Sequence, residues 1–202
     1  MGRKALVTGS TERVAEVGDA LEKAGFTVTR AGGKPAEVEA ASAEFAPGTL
    51  DCYVQLPRQT AVSGPTLVSR IHEFLSEGLL KRFETAGQIL PLLTNDACVV
   101  LVAGNIPGGA TPDDRHARID LLRVLARAIL ADCDKGDVRA VVVGTERSAV
   151  EIAEIAVHRG DERRRRQAQV AALSPEMPYE DWQREFLTLT ADEERADGRL
   201  GD

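Results

Sequence analysis

Asn105, Arg115 and His116 are the residues whose types could handle a proton or polarise a carbonyl in this chain. Asn105 follows a strongly apolar run and can donate a hydrogen bond, although Asn-Ile-Pro-Gly-Gly, residues 105–109, also reads as a plain loop. His116 stands beside Asp113, Asp114 and Arg115, but acids at a helix start are already explained by the helix dipole. A second set, Gly9, Ser10, Arg13 and Arg30, has the chemistry of anion binding. The run Lys4-Ala5-Leu6-Val7-Thr8 enters Gly9 and then a helical pattern, which aims backbone N–H groups at whatever lies beyond the strand. No metal site is expected, because His72, His116 and His158 are far apart and lack close acidic or cysteine neighbours at ligand spacing. Arg163–Arg166 could hold a phosphate or an acidic partner, yet flanking Asp161 and Glu162 favour a solvated helix.

Composition narrows the classes. With 202 residues and 43% hydrophobic content, the chain can bury one sizeable core plus a tail. A formal charge of −7 argues against a nucleic-acid surface, which needs clustered cations. No run approaches the roughly 20 apolar residues of a membrane span, and the first strand begins too early for a signal peptide, so a cytoplasmic protein without membrane contact is expected. Cys52, Cys98 and Cys133 are odd in number and fit reduced, buried thiols.

Five strands are predicted at Lys4–Thr8, Phe26–Arg30, Leu50–Leu56, Ala97–Ala103 and Val138–Gly144, alternating with helical patterns as in βαβ units. Val14, Val17, Ala20, Leu21 and Ala24 share a helix face that stops at Gly25, a residue suited to a left-handed terminus. A short helix is expected over Pro35–Phe45, a long one over Thr66–Leu93, and another over Asp113–Asp132. At ~1.5 Å per residue the long helix would span about 40 Å. The second half of 113–132 is apolar nearly all round, through Leu121, Leu122, Val124, Leu125, Ala126, Ala128, Ile129 and Leu130, which predicts burial on two sides. A further helix follows Thr145. Tyr179, Trp182, Phe186 and Leu189 could dock as a C-terminal clasp, before a disordered end at 191–202.

This order resembles the short-chain dehydrogenase/reductase family over residues 1–160, with a helical extension at 161–190. The resemblance is carried by Leu6-Val7-Thr8-Gly9, Ala24-Gly25-Phe26-Thr27-Val28, Leu50-Asp51-Cys52-Tyr53-Val54, the helix to Leu93, and Ala97–Gly104. It implies a Rossmann-like three-layer α/β sandwich, NAD or NADP as cofactor, a Ser with a Tyr-x-x-x-Lys pair, and subunits paired through helices 66–93 and 113–132. The chain departs at each chemical position. Tyr53 and Tyr179 are followed four places later by Pro57 and Gln183; registering the helix against the family puts Arg115 and Ile119 near the Tyr and Lys positions. Ala103-Gly104-Asn105 replaces the Ser, Gln55-Leu56-Pro57-Arg58 replaces Asn-Asn-Ala-Gly, and of the glycine-rich loop only Gly9 remains in register. Arg30 would meet a 2′-phosphate or stand as a solvated strand-end cation. Only residues 31–49 separate the second and third strands, so one strand-helix unit of the family is missing and the sheet is expected in the order 2-1-3-4-5, mostly parallel.

The expected function is therefore a short-chain-dehydrogenase-like protein that has lost the usual nicotinamide-dependent redox reaction and acts through binding or oligomerisation, with its site for NAD or NADP weakened and the binding of either left open. An oxidoreductase using Asn105, Arg115 or His116 with bound nucleotide, and an accessory subunit pairing with a related reductase, are the other two readings.

Overall fold

A computed structural model describes residues 2–9, 11–58, 63–104, 112–133, 138–144 and 146–157. Within them the chain folds as β1 (Arg3–Gly9), α1 (Thr11–Lys23), β2 (Phe26–Gly32), α2 (Pro35–Ser42), β3 (Leu50–Gln55), α3 (Leu67–Glu73), a π-helical turn (Phe74–Leu79), α4 (Leu80–Ile89), β4 (Leu93–Val102), α5 (Pro112–Asp132), β5 (Arg139–Val143) and α6 (149–157). The sheet has five strands in the order β2-β1-β3-β4-β5, and every pairing is parallel. Parallel strands need covered faces, and the sequence supplies them in near-continuous apolar runs.

Alternation along each strand divides the core. Leu6, Tyr53, Val99 and Leu101 point to the side filled by Val38 and Ala41 of α2, Ala86 and Ile89 of α4, and Leu122, Leu125 and Ile129 of α5. Ala5, Val7, Cys52, Val54, Cys98 and Val100 alternate to the opposite side and are equally buried. Val14, Val17 and Leu21 of α1 are buried too, as are Ile152 and Ala153 of α6. Gly25 ends α1 with φ +90°, the left-handed terminus that its position predicts.

The helix expected over 66–93 is not continuous. It is divided by the π turn, in which the Leu80 N–H bonds the Leu75 carbonyl, and ends in a 3-10 turn at Leu90–Leu92 around Pro91. Pro91 has no N–H to donate, so the last turn tightens and the chain enters β4 at Leu93, four residues before the expected start. Among the described residues no helix is long and apolar enough to cross a membrane. The clasp at 179–189, the Arg163–Arg166 run and the tail at 191–202 lie outside the described residues.

Cys52 and Cys98 face each other in register between β3 and β4. Burial pushes the Cys52 thiol well above its ordinary value of 9.0, with the neighbouring Cys98 adding to the shift. The unfolded chain then loses this proton at a lower pH than the folded one. Its contribution to stability is complete below pH 9 and declines as pH rises through that value. Urea midpoints should therefore fall above pH 9, and fall less steeply in Cys52→Ala; parallel slopes would show that another group governs the alkaline limit.

Candidate functional site

In an open parallel sheet, ligands bind outside the carboxyl ends of the strands where the strand order reverses. Here that point lies between β1 and β3. Thr8 and Gly9 end β1, Gln55 ends β3 and runs on through Leu56-Pro57-Arg58, and Val102 ends β4 before Ala103-Gly104.

A connected polar network lies beneath this edge. The Tyr53 hydroxyl and Thr8 Oγ1 share a hydrogen bond of 3.1 Å. Gln55 Nε2 donates to the Tyr53 hydroxyl at 3.2 Å, to the Arg82 carbonyl at 3.0 Å and to Thr85 Oγ1 at 2.8 Å. Arg82 returns three bonds, from Nε to Gln55 Oε1 at 2.8 Å, from Nη1 to the Val102 carbonyl at 2.8 Å and from Nη2 to the Gln55 carbonyl at 3.0 Å. One guanidinium thus ties the ends of β3 and β4 to α4. No carboxylate among the described residues pairs with it; strand-end carbonyls and an amide oxygen carry its charge.

The network orients and does not exchange protons near neutrality. Burial lowers Arg82 to about 10, which leaves it charged at pH 7. Burial also pushes the Tyr53 phenol above its ordinary value, so it remains protonated and is no general base. The π turn explains how α4 delivers these groups: an extra residue in the turn rotates all that follows by about 100°, and Arg82 and Thr85, three apart on one face, meet Gln55.

Above the network, three consecutive residues form a strap across the strand ends. Leu56 N–H bonds the Thr8 carbonyl at 2.8 Å. Gly9, at φ +140°, backs onto Leu56 so closely that a methyl there would lie 2.5 Å from Leu56 Cβ. A methyl on Gly104 would lie 3.1 Å from Pro57 Cβ, and one on Gly33 would lie 3.2 Å from Arg58 Cβ and 3.4 Å from Gly9 Cα. Leu56, Pro57 and Arg58 therefore touch the ends of β1, β4 and the segment after β2 in turn.

The residues singled out by sequence fall in different places. Gly9 is at the switch point. The Arg13 guanidinium donates to the Arg147 carbonyl, joining α1 to the segment that leads into α6. Arg30 turns away from the strand ends, across Gly18, to Asp19 and Glu22 of α1 at 2.8 Å each. Its Glu22 partner raises it above its ordinary value, and Glu22 is lowered in return. Ser10 and Asn105 lie outside the described residues, and Arg115 and His116 are placed only by the backbone of the first turns of α5. Among the described residues no group of three or more His, Cys, Asp and Glu could hold a metal ion.

Sequence reasoning had not joined Tyr53, Gln55, Arg82 and Thr85. The signal for them is a matched pair of periods: Tyr53 and Gln55 two apart among the apolar residues of a strand, and Arg82 and Thr85 three apart on a helix.

No protein-family model matches the chain, and no curated protein matches it in sequence. Solved structures do. A short-chain dehydrogenase/reductase from Serratia marcescens superposes with a TM-score of 0.57 at 14% identity, over 76% of this chain and 87% of that one. A crystal structure described as a small-chain dehydrogenase gives 0.59 at 14% identity, over 80% and 92%. The enoyl-[acyl-carrier-protein] reductase (NADH) of Aquifex aeolicus gives 0.52 at 11% identity, over 72% and 74%. Such identities speak to architecture and not to chemistry. Five parallel strands in the order 2-1-3-4-5, sandwiched by helices, give this chain the Rossmann-like α/β fold of the short-chain dehydrogenase/reductases.

Proposed function

We propose that this chain is a short-chain-dehydrogenase-like protein that does not carry out nicotinamide-dependent redox chemistry and works by association with a second copy of itself through α3–α4 and α5. The observation that carries it is the division of α5. Leu122, Leu125, Ala126 and Ile129 are buried on the sheet, while Leu121 and Val124 are 38% and 46% exposed. Leu80 at the start of α4 and Val68 on α3 are also exposed, and α4 packs against α5. Exposed aliphatic side chains gain about 1.5–3 kcal/mol each when fully buried, and a two-fold pair buries the same surface of both subunits. The Asp120–Arg123 ion pair at 3.0 Å, exposed beside Leu121 and Val124, supplies a polar rim.

Loss of the redox reaction is supported by the sequence, which has no Tyr-x-x-x-Lys, and by Tyr53, which is held in the interior as a neutral phenol. The test has two parts. Purified protein should reduce no carbonyl in a broad panel with either nicotinamide cofactor, and should sediment as a dimer at micromolar concentration. Leu121→Glu with Val124→Glu should give a monomer with unchanged helicity, since exposed positions contribute within about 0.5 kcal/mol to the fold itself. Robust turnover, or a wild-type monomer, would overturn the reading. Co-purification with a related reductase instead of self-association would make the chain an accessory subunit.

A further inference from the structure

We infer that the nucleotide crevice of this fold is occupied from within, by the Leu56-Pro57-Arg58 strap, and that the Arg58 stem takes the place of a dinucleotide's adenosine ribose. A bound dinucleotide in such a sheet lays its pyrophosphate at the N-terminus of the first helix and its ribose beside the end of the second strand, where an acidic side chain meets the hydroxyls. In this chain the end of β2 is Gly32 followed by Gly33, and neither offers a side chain. Arg58 Cβ and Cγ lie 3.2 and 3.4 Å from where a Gly33 Cβ would be, and Gly9 Cα lies 3.4 Å from the same point. The slot between the first and second strand tails is filled by protein.

Glu37 and Arg30, two charges beside the slot, are committed to the protein. Glu37 is the carboxylate beside Gly32; its Oε2 accepts the Lys34 N–H at 3.1 Å and so caps α2. Arg30, on the strand that should present the ribose-reading residue, is paired with Asp19 and Glu22 on the outer face of α1. Among the described residues Arg58 has no hydrogen-bond or ion-pair partner, so its place beside Gly33 is set by the packing of its stem and by Leu56 and Pro57 before it. Leu56 is anchored to Thr8 and against Gly9, and Pro57 to Gly104, which leaves the strap little freedom to swing aside. The residues present do not fit a dinucleotide, and no chemical step through one is derived.

The inference deepens the non-redox reading above and rests on it, yet the two fail separately. Thermal unfolding should be followed with and without about 1 mM NAD+, NADH, NADP+, NADPH or ADP-ribose, because a ligand specific to the folded state must raise its midpoint. Wild type should show no shift. Arg58→Ala and Arg58→Gly should open the slot and shift upward with ADP-ribose, the second more than the first, toward the ~3–5 °C that a ligand at about ten times its Kd gives a domain of this size. Arg58→Lys keeps most of the stem and should stay unshifted. If Arg58→Gly does not fold, Arg58→Ala reads the same question. A shift in wild type overturns the inference even where turnover is absent and the non-redox reading survives; folded Arg58→Ala and Arg58→Gly that remain unshifted overturn Arg58 as the occupant.

Discussion

Arg82→Ala should cost the fold about 3 kcal/mol and lower its thermal midpoint by about 10 °C. Two large terms oppose each other in that estimate. Burial lowers the Arg82 pKa from its ordinary value to about 10, which represents a desolvation cost of about 3 kcal/mol that the alanine variant recovers. Against it stand three charge-assisted bonds, to Gln55 Oε1, the Gln55 carbonyl and the Val102 carbonyl, worth about 2 kcal/mol each. The bonds win, and the truncated stem adds a packing loss. Arg82→Lys keeps the charge but cannot serve three acceptors from one planar fork, and should recover less than half of the loss. In a double-mutant cycle, Arg82→Ala and Gln55→Ala should couple by about 1–2 kcal/mol, because Arg82 Nε donates to Gln55 Oε1 and each single variant strands the other side chain's buried group. Equal urea midpoints for wild type and Arg82→Ala would show that the network is incidental to stability.

The same residue shows where reading a sequence stops. The five strands follow from apolar, mostly Val-rich runs, which are local signals, whereas their order follows from the family resemblance together with the shortness of residues 31–49. Gly25 announces the end of α1 because a left-handed residue is a backbone requirement that few side chains meet. The apolar circumference of α5 is legible for a similar reason, but of the two sides expected to be buried the structure covers one, Leu122, Leu125, Ala126 and Ile129, and leaves Leu121 and Val124 exposed. Arg82 carries no comparable mark. A single arginine between Leu79 and Phe83 reads as a solvated charge until the π turn at Phe74–Leu79 rotates it under the sheet, and an unbroken 3.6-residue period cannot reveal that rotation. The strap is hidden for a different cause. Leu56-Pro57-Arg58 is readable as a departure from a cofactor-binding segment, but its contacts with Gly9, Gly104 and Gly33 join residues distant in sequence.

Gly9 is the glycine that most suggests a cofactor loop, and its replacement should separate a requirement of the ligand from a requirement of the fold. At φ +140° an L-residue is strained by roughly 1–3 kcal/mol. A methyl at that position would also lie 2.5 Å from Leu56 Cβ and 2.9 Å from the Leu56 carbonyl oxygen, an overlap with backbone that cannot rotate away. Overpacking of this kind costs about 1–3 kcal/mol more. Gly9→Ala should therefore lose about 3–5 kcal/mol with no nucleotide present, a large share of the roughly 5–15 kcal/mol that holds a domain together, and should accumulate poorly as soluble protein. Gly25→Ala is the control: at φ +90° with no atom within 4 Å of the added methyl, it meets backbone strain alone and should lose about 1 kcal/mol. Were Gly9 kept for the close approach of a pyrophosphate, Gly9→Ala would unfold at the wild-type urea concentration and differ only in nucleotide binding. A loss several times that of Gly25→Ala, in the absence of any nucleotide, assigns Gly9 to the contact between β1 and the Leu56 strap.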